Sequence, residues 1–200
     1  TGTGGQVSAD AAIALAASTL KFGVDLTGAD HEATITNPNN AMFRVDNFVD
    51  VTRDVASAFL EWRRDRERGD LELGLRLKRV EANAGEVSTS GMMGDMGTRV
   101  DLLADAFNAA NRDLTWDSVD AVLKYRLPIG DDSEWRFELG SKTRAPSYQE
   151  LYLWLPLQAT GGLADGRSYI GGLGLDAERS DEITIGYGWE DGRVTVSPQI

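Results

Sequence analysis

The chain has no cysteine, one histidine (His31) and five prolines in 200 residues, and its 20 Lys and Arg are outnumbered by 32 Asp and Glu. Without cysteine there is no disulfide scaffold, thiolate zinc site or cysteine nucleophile, although the redox compartment stays open. A net charge of −12 removes the cationic footprint that phosphate contacts require, so nucleic acid is excluded as a partner. With a single imidazole, a transition-metal site built from protein alone must draw on carboxylates or thioethers. Long apolar runs are also missing: the longest, Ala11 to Ala17, falls far short of the roughly 20 residues of a membrane-spanning helix. No initiating Met or basic stretch precedes that run, so it does not read as a signal peptide. The other end, Arg193-Val-Thr-Val-Ser-Pro-Gln-Ile200, stops in what reads as the middle of a strand, and the chain is expected to be an internal fragment. Catalytic signatures are lacking too: there is no G-x-S-x-G elbow, no H-E-x-x-H and no P-loop. Gly171-Gly-Leu-Gly174 follows a loop and carries no Lys-Ser/Thr, so it does not read as a phosphate cradle. Nothing calls for a cofactor, and the chain does not read as an enzyme.

What is present is alternation. Leu71, Leu73, Leu75 and Leu77 are interleaved with Glu72, Gly74, Arg76 and Lys78, and a period of two means strand. The pattern recurs in Leu20 to Leu26, Val119 to Leu127, Trp135 to Leu139 and Ile183 to Trp189, more loosely in Arg53 to Asp65, and a last strand is expected near Arg193. Connectors alternate between short (Arg64 to Gly69, Pro128 to Ser133, and Glu190-Asp-Gly-Arg193) and long (Asn37 to Thr52, Glu81 to Asp113, Arg144 to Asp176). The Asp191-Gly192 pair suits a type I′ hairpin turn. Within the second long connector, Thr98 with Asp101 reads as a helix cap, and Val100, Leu103, Phe107 and Ala110 follow at helical spacing.

Compact soluble domains seldom tolerate three such long connectors. Transmembrane barrels do, with tight turns on one side and extended loops on the other. Each strand is bulky and apolar on one face and charged or glycine-bearing on the other, which suits a lipid-facing exterior around a wet interior. Trp62, Tyr125, Trp135, Tyr187 and Trp189 fall close to the short turns, where an interfacial girdle would sit. The expected fold is therefore all-β: part of an antiparallel up-and-down transmembrane β-barrel with long outer loops and one short loop helix. The rival is a soluble, secreted β-sandwich binding module, for instance for carbohydrate, with the same alternation turned inward.

The stretch Lys142-Thr-Arg-Ala-Pro-Ser-Tyr-Gln-Glu-Leu-Tyr152, followed by Leu175-Asp-Ala-Glu-Arg-Ser-Asp-Glu182, resembles the barrel of TonB-dependent outer-membrane receptors. Arg144, Pro146, Glu150 and Leu151 match the first family element, and Leu175, Glu178, Ser180 and Glu182 the second, with Ala177 standing where proline is usual. Tyr152-Leu-Trp-Leu-Pro, continuing to Ile170, and Asn37-Pro-Asn-Asn-Ala41 are similar to the copper-receptor branch. The resemblance implies that residues 1–200 are a sector of a 22-stranded barrel in the bacterial outer membrane, without its N-terminal plug. It further implies outer-membrane lipid as surroundings, transport of a metal ion or metal chelate, and TonB as a partner through the plug region missing from this chain. Copper is the first expectation for the cargo and a ferric siderophore the second.

Met92, Met93 and Met96, flanked by glycines, are three of the four methionines, and their soft thioethers favour Cu(I). They would serve equally as flexible apolar filler between loops. His31, in Asp30-His-Glu32, is either a lone metal ligand or a solvated residue near the outer end of its strand. Met42, beside Phe43 and Phe48, reads as loop packing. Tyr148, Tyr152, Trp154 and Tyr169 offer ring faces and hydroxyls suited to gripping a chelate or sugar, or else fold their loop over the barrel rim. Arg144, Glu150 and Glu178 read as an architectural polar network at that rim.

Overall fold

The computed structural model describes residues 1–64, 69–155, 169–190, 195, 196 and 198. Seven long strands run antiparallel in one sheet: β1 (Gly2–Leu15), β2 (Ser18–Asn37), β3 (Asn40–Arg64), β4 (Asp70–Asn83), then β6 (Leu114–Ile129), β7 (Ser133–Arg144) and β8 (Glu178–Glu190). The short β5 (Thr89–Ser90) pairs with β3, and β9 (Thr195–Val196) pairs with β8. Two helices, α1 (Gly94–Ala109) and α2 (Tyr148–Tyr152), lie in the long connectors. Sequential strands are neighbours throughout, as in an up-and-down barrel wall that is left unclosed. The Asp191-Gly192 turn, the middle of the Arg64 to Gly69 connector and most of the copper-branch-like loop lie outside the described residues.

The register fixes which residues share a face. Leu20, Trp62, Leu73, Leu123, Leu139 and Ile183 form one row, and Phe22, Leu60, Leu75 and Ala121 the next. Leu75 is 44% exposed, Leu139 47% and Ile183 72%, and among the described residues no second layer covers them. A sandwich buries such a face, so the expected barrel is the fold and the soluble rival falls. The band is also slanted. Its outermost apolar residue is Val7 on β1, Leu26 on β2 and Ala56 on β3, all in one row, but Leu77 on β4, Val119 on β6, Leu139 on β7 and Ile183 on β8. The edge thus slips six residues between β1 and β8. Six residues at about 3.3 Å against six inter-strand steps of about 4.8 Å give a strand tilt of about 35°, within the range of membrane barrels. On β6 the band from Val119 to Leu127 then rises about 22 Å along the membrane normal, close to the ~25 Å apolar girdle of such barrels.

The opposite face is a lattice of ion pairs. Lys21 meets Asp10, Arg76 meets Asp25, Lys78 meets Asp120, Lys124 meets Glu72, and Arg126 meets both Asp70 and Glu134. Such groups need water or partners, and the wet side of the wall supplies both.

The dry core sits above the membrane band. Val45, Phe48 and Val51 of β3, Ala82 of β4, Val100, Ala104 and Phe107 of α1, and Leu151 through Leu155 pack into one buried cluster. Two sequence expectations change here. The Asn37 to Thr52 connector is not a loop: β2 and β3 continue beyond the membrane as one hairpin, bent where the register slips between His31 and Thr34. The helix starts at Gly94, with Met93 as its N-cap and no side-chain cap; Thr98 lies inside it and donates its Oγ1 back to the Gly94 carbonyl at 3.4 Å. β1 is a strand that the sequence pattern does not announce, and the strand expected near Arg193 has Thr195–Val196 as its described part.

α1 is held by its C-terminal end. Asn108 exchanges two 2.9 Å hydrogen bonds with the Val87 backbone, while Arg112 donates to the carbonyls of Ala84 and Phe107 and lies 5.7 Å over the Phe107 ring. The Phe107 carbonyl lies in the last turn of α1, where it also accepts from the Ala110 amide at 3.2 Å, and a cation there meets the negative pole of the helix.

Candidate functional site

The outer mouth begins with the methionines. β3 and β5 pair through Arg44↔Ser90 and Val45↔Thr89, and the chain leaves β5 at Gly91 with its backbone against that of Met42. Ser90 Oγ donates to the Met42 carbonyl at 2.9 Å. Gly91 has φ +75, and a Cβ there would collide with that same carbonyl, so only glycine permits the approach. Met92 is half-buried against the loop core, whereas Met93 is 87% exposed, Met96 71% and Met42 73%. Met93 and Met96 are thus exposed at the head of α1, and the Ser90–Gly91 backbone brings the exposed Met42 of β3 to the segment that leads into them. The link to Met42 is a tertiary contact that the sequence does not announce, and its side chain is not packed as expected. Among the described residues, no group of three or more His, Asp or Glu stands close enough to hold a metal ion.

His31 lies elsewhere. It stacks on Tyr148 with ring centroids 4.0 Å apart and planes at 11°, and Tyr148 meets Phe48 edge-on at 5.2 Å. The aromatic loop divides into two kinds of residue. Tyr152 is 1% exposed and Trp154 3%; the Tyr152 hydroxyl donates to the Arg112 carbonyl at 3.0 Å and the Trp154 indole to the Asp46 carbonyl at 3.1 Å. Burial, with the Asp113 charge nearby, pushes the Tyr152 hydroxyl up to about 12. These two rings knit the loop onto β3 and α1. Tyr148, half-buried, and Tyr169, exposed, keep surface available.

The loop is aimed by the segment Arg144 to Glu150. Ser147 and Glu150 form a reciprocal capping box that starts α2, the S-x-x-E signature of a helix start. Glu150 also takes two 2.9 Å hydrogen bonds from Arg144, whose other side reaches Glu178 at 2.9 Å. The Arg144 guanidinium, then the Ser147 amide, hold the Glu150 carboxyl down at about 2, and both carboxylates keep Arg144 protonated. The three residues read as a rim network are thus brought together. Just below, β7 parts from β6 after the Ala121↔Ser141 pair. The freed amide of Thr143 donates to Asp120 Oδ1 at 2.7 Å and its carbonyl accepts from Lys78 Nζ at 2.6 Å, so the split leaves neither group unpaired.

Charge is unevenly divided along the wall. Segments 28–54, 79–117, 144–155 and 169–181, which form its outer end among the described residues, contain 16 Asp and Glu against 7 Lys and Arg, so nine of the twelve excess negative charges are there. At Asp46, burial opposes ionisation, but bonds from Ser88 and Arg44 outweigh it and hold the carboxyl below its usual range. A cleft mouth of one sign raises the local concentration of the opposite ion.

Comparison with known proteins agrees with this architecture. A family described as TonB dependent receptor-like, beta-barrel, matches residues 2–197. Among solved structures, "Copper transporter OprC" superposes with a TM-score of 0.68 at 18% identity, over 99% of this chain and 28% of that one. The FrpB iron transporter from Neisseria meningitidis (F3-3 variant) gives 0.58 at 15% identity, over 95% of this chain and 27% of that one. The chain therefore spans less than a third of the length of either. No curated protein matches it in sequence.

Proposed function

This chain belongs to the TonB-dependent receptor β-barrel family, and we propose that the receptor it forms part of admits a metal across the bacterial outer membrane, with copper as the favoured cargo. The observation that carries this reading is the gathering of Met42, Met92, Met93 and Met96 at the outer mouth, three of them largely exposed. A thioether is a poor ligand for hard cations and a good one for Cu(I), and methionine used only as filler would be covered. The acidic outer end supports the same reading, because it draws cations and repels an anionic ferric chelate. The likeness to a copper transporter supports it as well. In this reading the sector is wall and mouth, not engine: energy would come from TonB through a plug carried elsewhere in the protein, and no group here performs catalysis.

A ferric siderophore is the second reading, favoured by the available rings of Tyr148 and Tyr169 and by the likeness to an iron transporter. One experiment separates the two. In the full-length receptor, changing Met92, Met93 and Met96 together to Leu preserves apolar volume while removing the sulfur donors. Cu(I) affinity is expected to fall tenfold or more, about 1.4 kcal/mol, while folding and uptake of a ferric chelate stay unchanged. Undiminished Cu(I) binding would remove the methionine site; growth rescue by a siderophore but not by copper would select the second reading.

A further inference from the structure

Arg53 is out of keeping with the rest of the wall. The register sets it on the inner face, at the lower edge of the dry core, between Ala29 and Ala82, with Val51 and Val55 as its like-facing neighbours along β3. The next residue, Asp54, is the first polar one outside the apolar band on the opposite face, so Arg53 stands just above the membrane. Lower on the same face, Lys21, Arg76, Lys78, Lys124 and Arg126 each have a carboxylate within 3.6 Å. Arg53 has none among the described residues, and its Nε is buried without any hydrogen-bond partner. The charge acting on it is of its own sign: burial first, and then Arg144, disfavour its protonated form. Arg144 is itself occupied by Glu150 and Glu178 and brings no anion to Arg53. A half-buried guanidinium without a counterion costs free energy that most of this wall is built to avoid. The His31–Tyr148 stack begins one inward-facing position further out, since His31 pairs with Val51.

We propose that Arg53 anchors a carboxylate subsite on the inner face of the outer mouth, with the His31–Tyr148 stack as its apolar wall. A planar guanidinium binds a carboxylate through two parallel hydrogen bonds, and the alanines on both sides of it in the register carry no side-chain acceptor to compete. A carboxylate fits better than a doubly charged anion, which the surrounding excess of Asp and Glu would repel more strongly. The carboxylate comes either from a solute passing the mouth or from a side chain in a part of the receptor beyond residues 1–200. The subsite stands whichever metal is carried.

The test uses the purified full-length receptor in detergent, as wild type, Arg53→Gln and Arg53→Lys, with sodium acetate compared against sodium chloride at equal ionic strength. If the carboxylate is a solute's, acetate raises the melting temperature of the wild type by about 2 °C or more through mass action, raises that of Arg53→Lys less, and leaves Arg53→Gln unmoved. If the carboxylate is the protein's own, acetate does nothing, but Arg53→Gln melts several degrees lower and Arg53→Lys recovers part of the loss. The proposal is overturned if Arg53→Gln melts at the same or a higher temperature and acetate has no Arg53-dependent effect. That is the result for a guanidinium with no partner, because removing it then relieves both burial and the repulsion from Arg144.

Discussion

Leu123→Arg, placed in the full-length receptor, is expected to cost the barrel about 2 kcal/mol or more in a lipid bilayer, whereas Gly140→Arg costs little. The two residues lie on neighbouring strands, one row apart, and face opposite ways. Leu123 is the middle residue of the band from Val119 to Leu127 on β6, in the apolar row with Leu73 and Leu139, and an arginine on the lipid face costs roughly 2–4 kcal/mol at the bilayer midplane, less towards its edges. Gly140 is in the wet row between Val122 and Glu182, and a Cβ built there meets no atom within 4 Å. A charged side chain there enters water beside an acid. The measurement is equilibrium unfolding of each variant from vesicles. Equal costs, or a larger one at Gly140, would mean that the faces are assigned the wrong way round.

The second large effect is expected at Trp154, where truncation to Ala acts on the mouth and not on the wall. The side chain is 3% exposed inside the loop core, and its indole bonds a carbonyl 108 residues away in sequence. Losing a buried tryptophan costs about 3–5 kcal/mol, and the Asp46 carbonyl left without its donor adds about 1 kcal/mol or more. Because the dry core is confined to the region above the band, that loss is borne by the outer loops. Trp154→Ala is therefore expected to make the outer loops many times more susceptible to protease while the barrel keeps its resistance to unfolding in detergent. Tyr152→Phe, which removes only a hydroxyl, should give a milder form of the same change. Protease resistance equal to wild type in Trp154→Ala would mean that the loop is not docked on β3.

The sequence was most legible where the membrane imposes its own contrast. In β4, β6, β7 and β8 one face meets hydrocarbon and the other water, so Leu71 to Leu77 or Ile183 to Tyr187 alternate cleanly. β1 lacks that contrast: Ala9 and Ala11 face out while Ala12 and Ala14 face in, and small residues on both sides hide the period. Above the membrane the rule itself lapses. The outer hairpin of β2 and β3 buries Val45, Phe48 and Val51 under a loop and bends where the register shifts around Ala33, so strand reads as irregular chain. The start of α1 is hidden in the sequence because Met93 offers no capping side chain, while Thr98-x-x-Asp101 imitates one. The capping box of Ser147 and Glu150 was present in the sequence as S-x-x-E, yet the helix it starts is too short to show periodicity. At the mouth, the three clustered methionines could be picked out by proximity along the chain. Met42 joins them through strand pairing, and the isolation of Arg53 depends on register across three strands; neither is a property of local sequence.

The central claim, that the apolar face of this sheet meets lipid, is tested most directly by fluorescence quenching in vesicles whose acyl chains carry bromine, using full-length receptors that keep one of the chain's tryptophans at a time. Trp62 and Trp135, in the outward rows beside Leu73 and Leu127, are expected to be strongly quenched. Trp154, buried in the loop core, and Trp116, whose indole bonds the Leu175 carbonyl at 3.3 Å, are expected to be unaffected. Quenching of Trp154 together with protection of Trp62 and Trp135 would contradict the account.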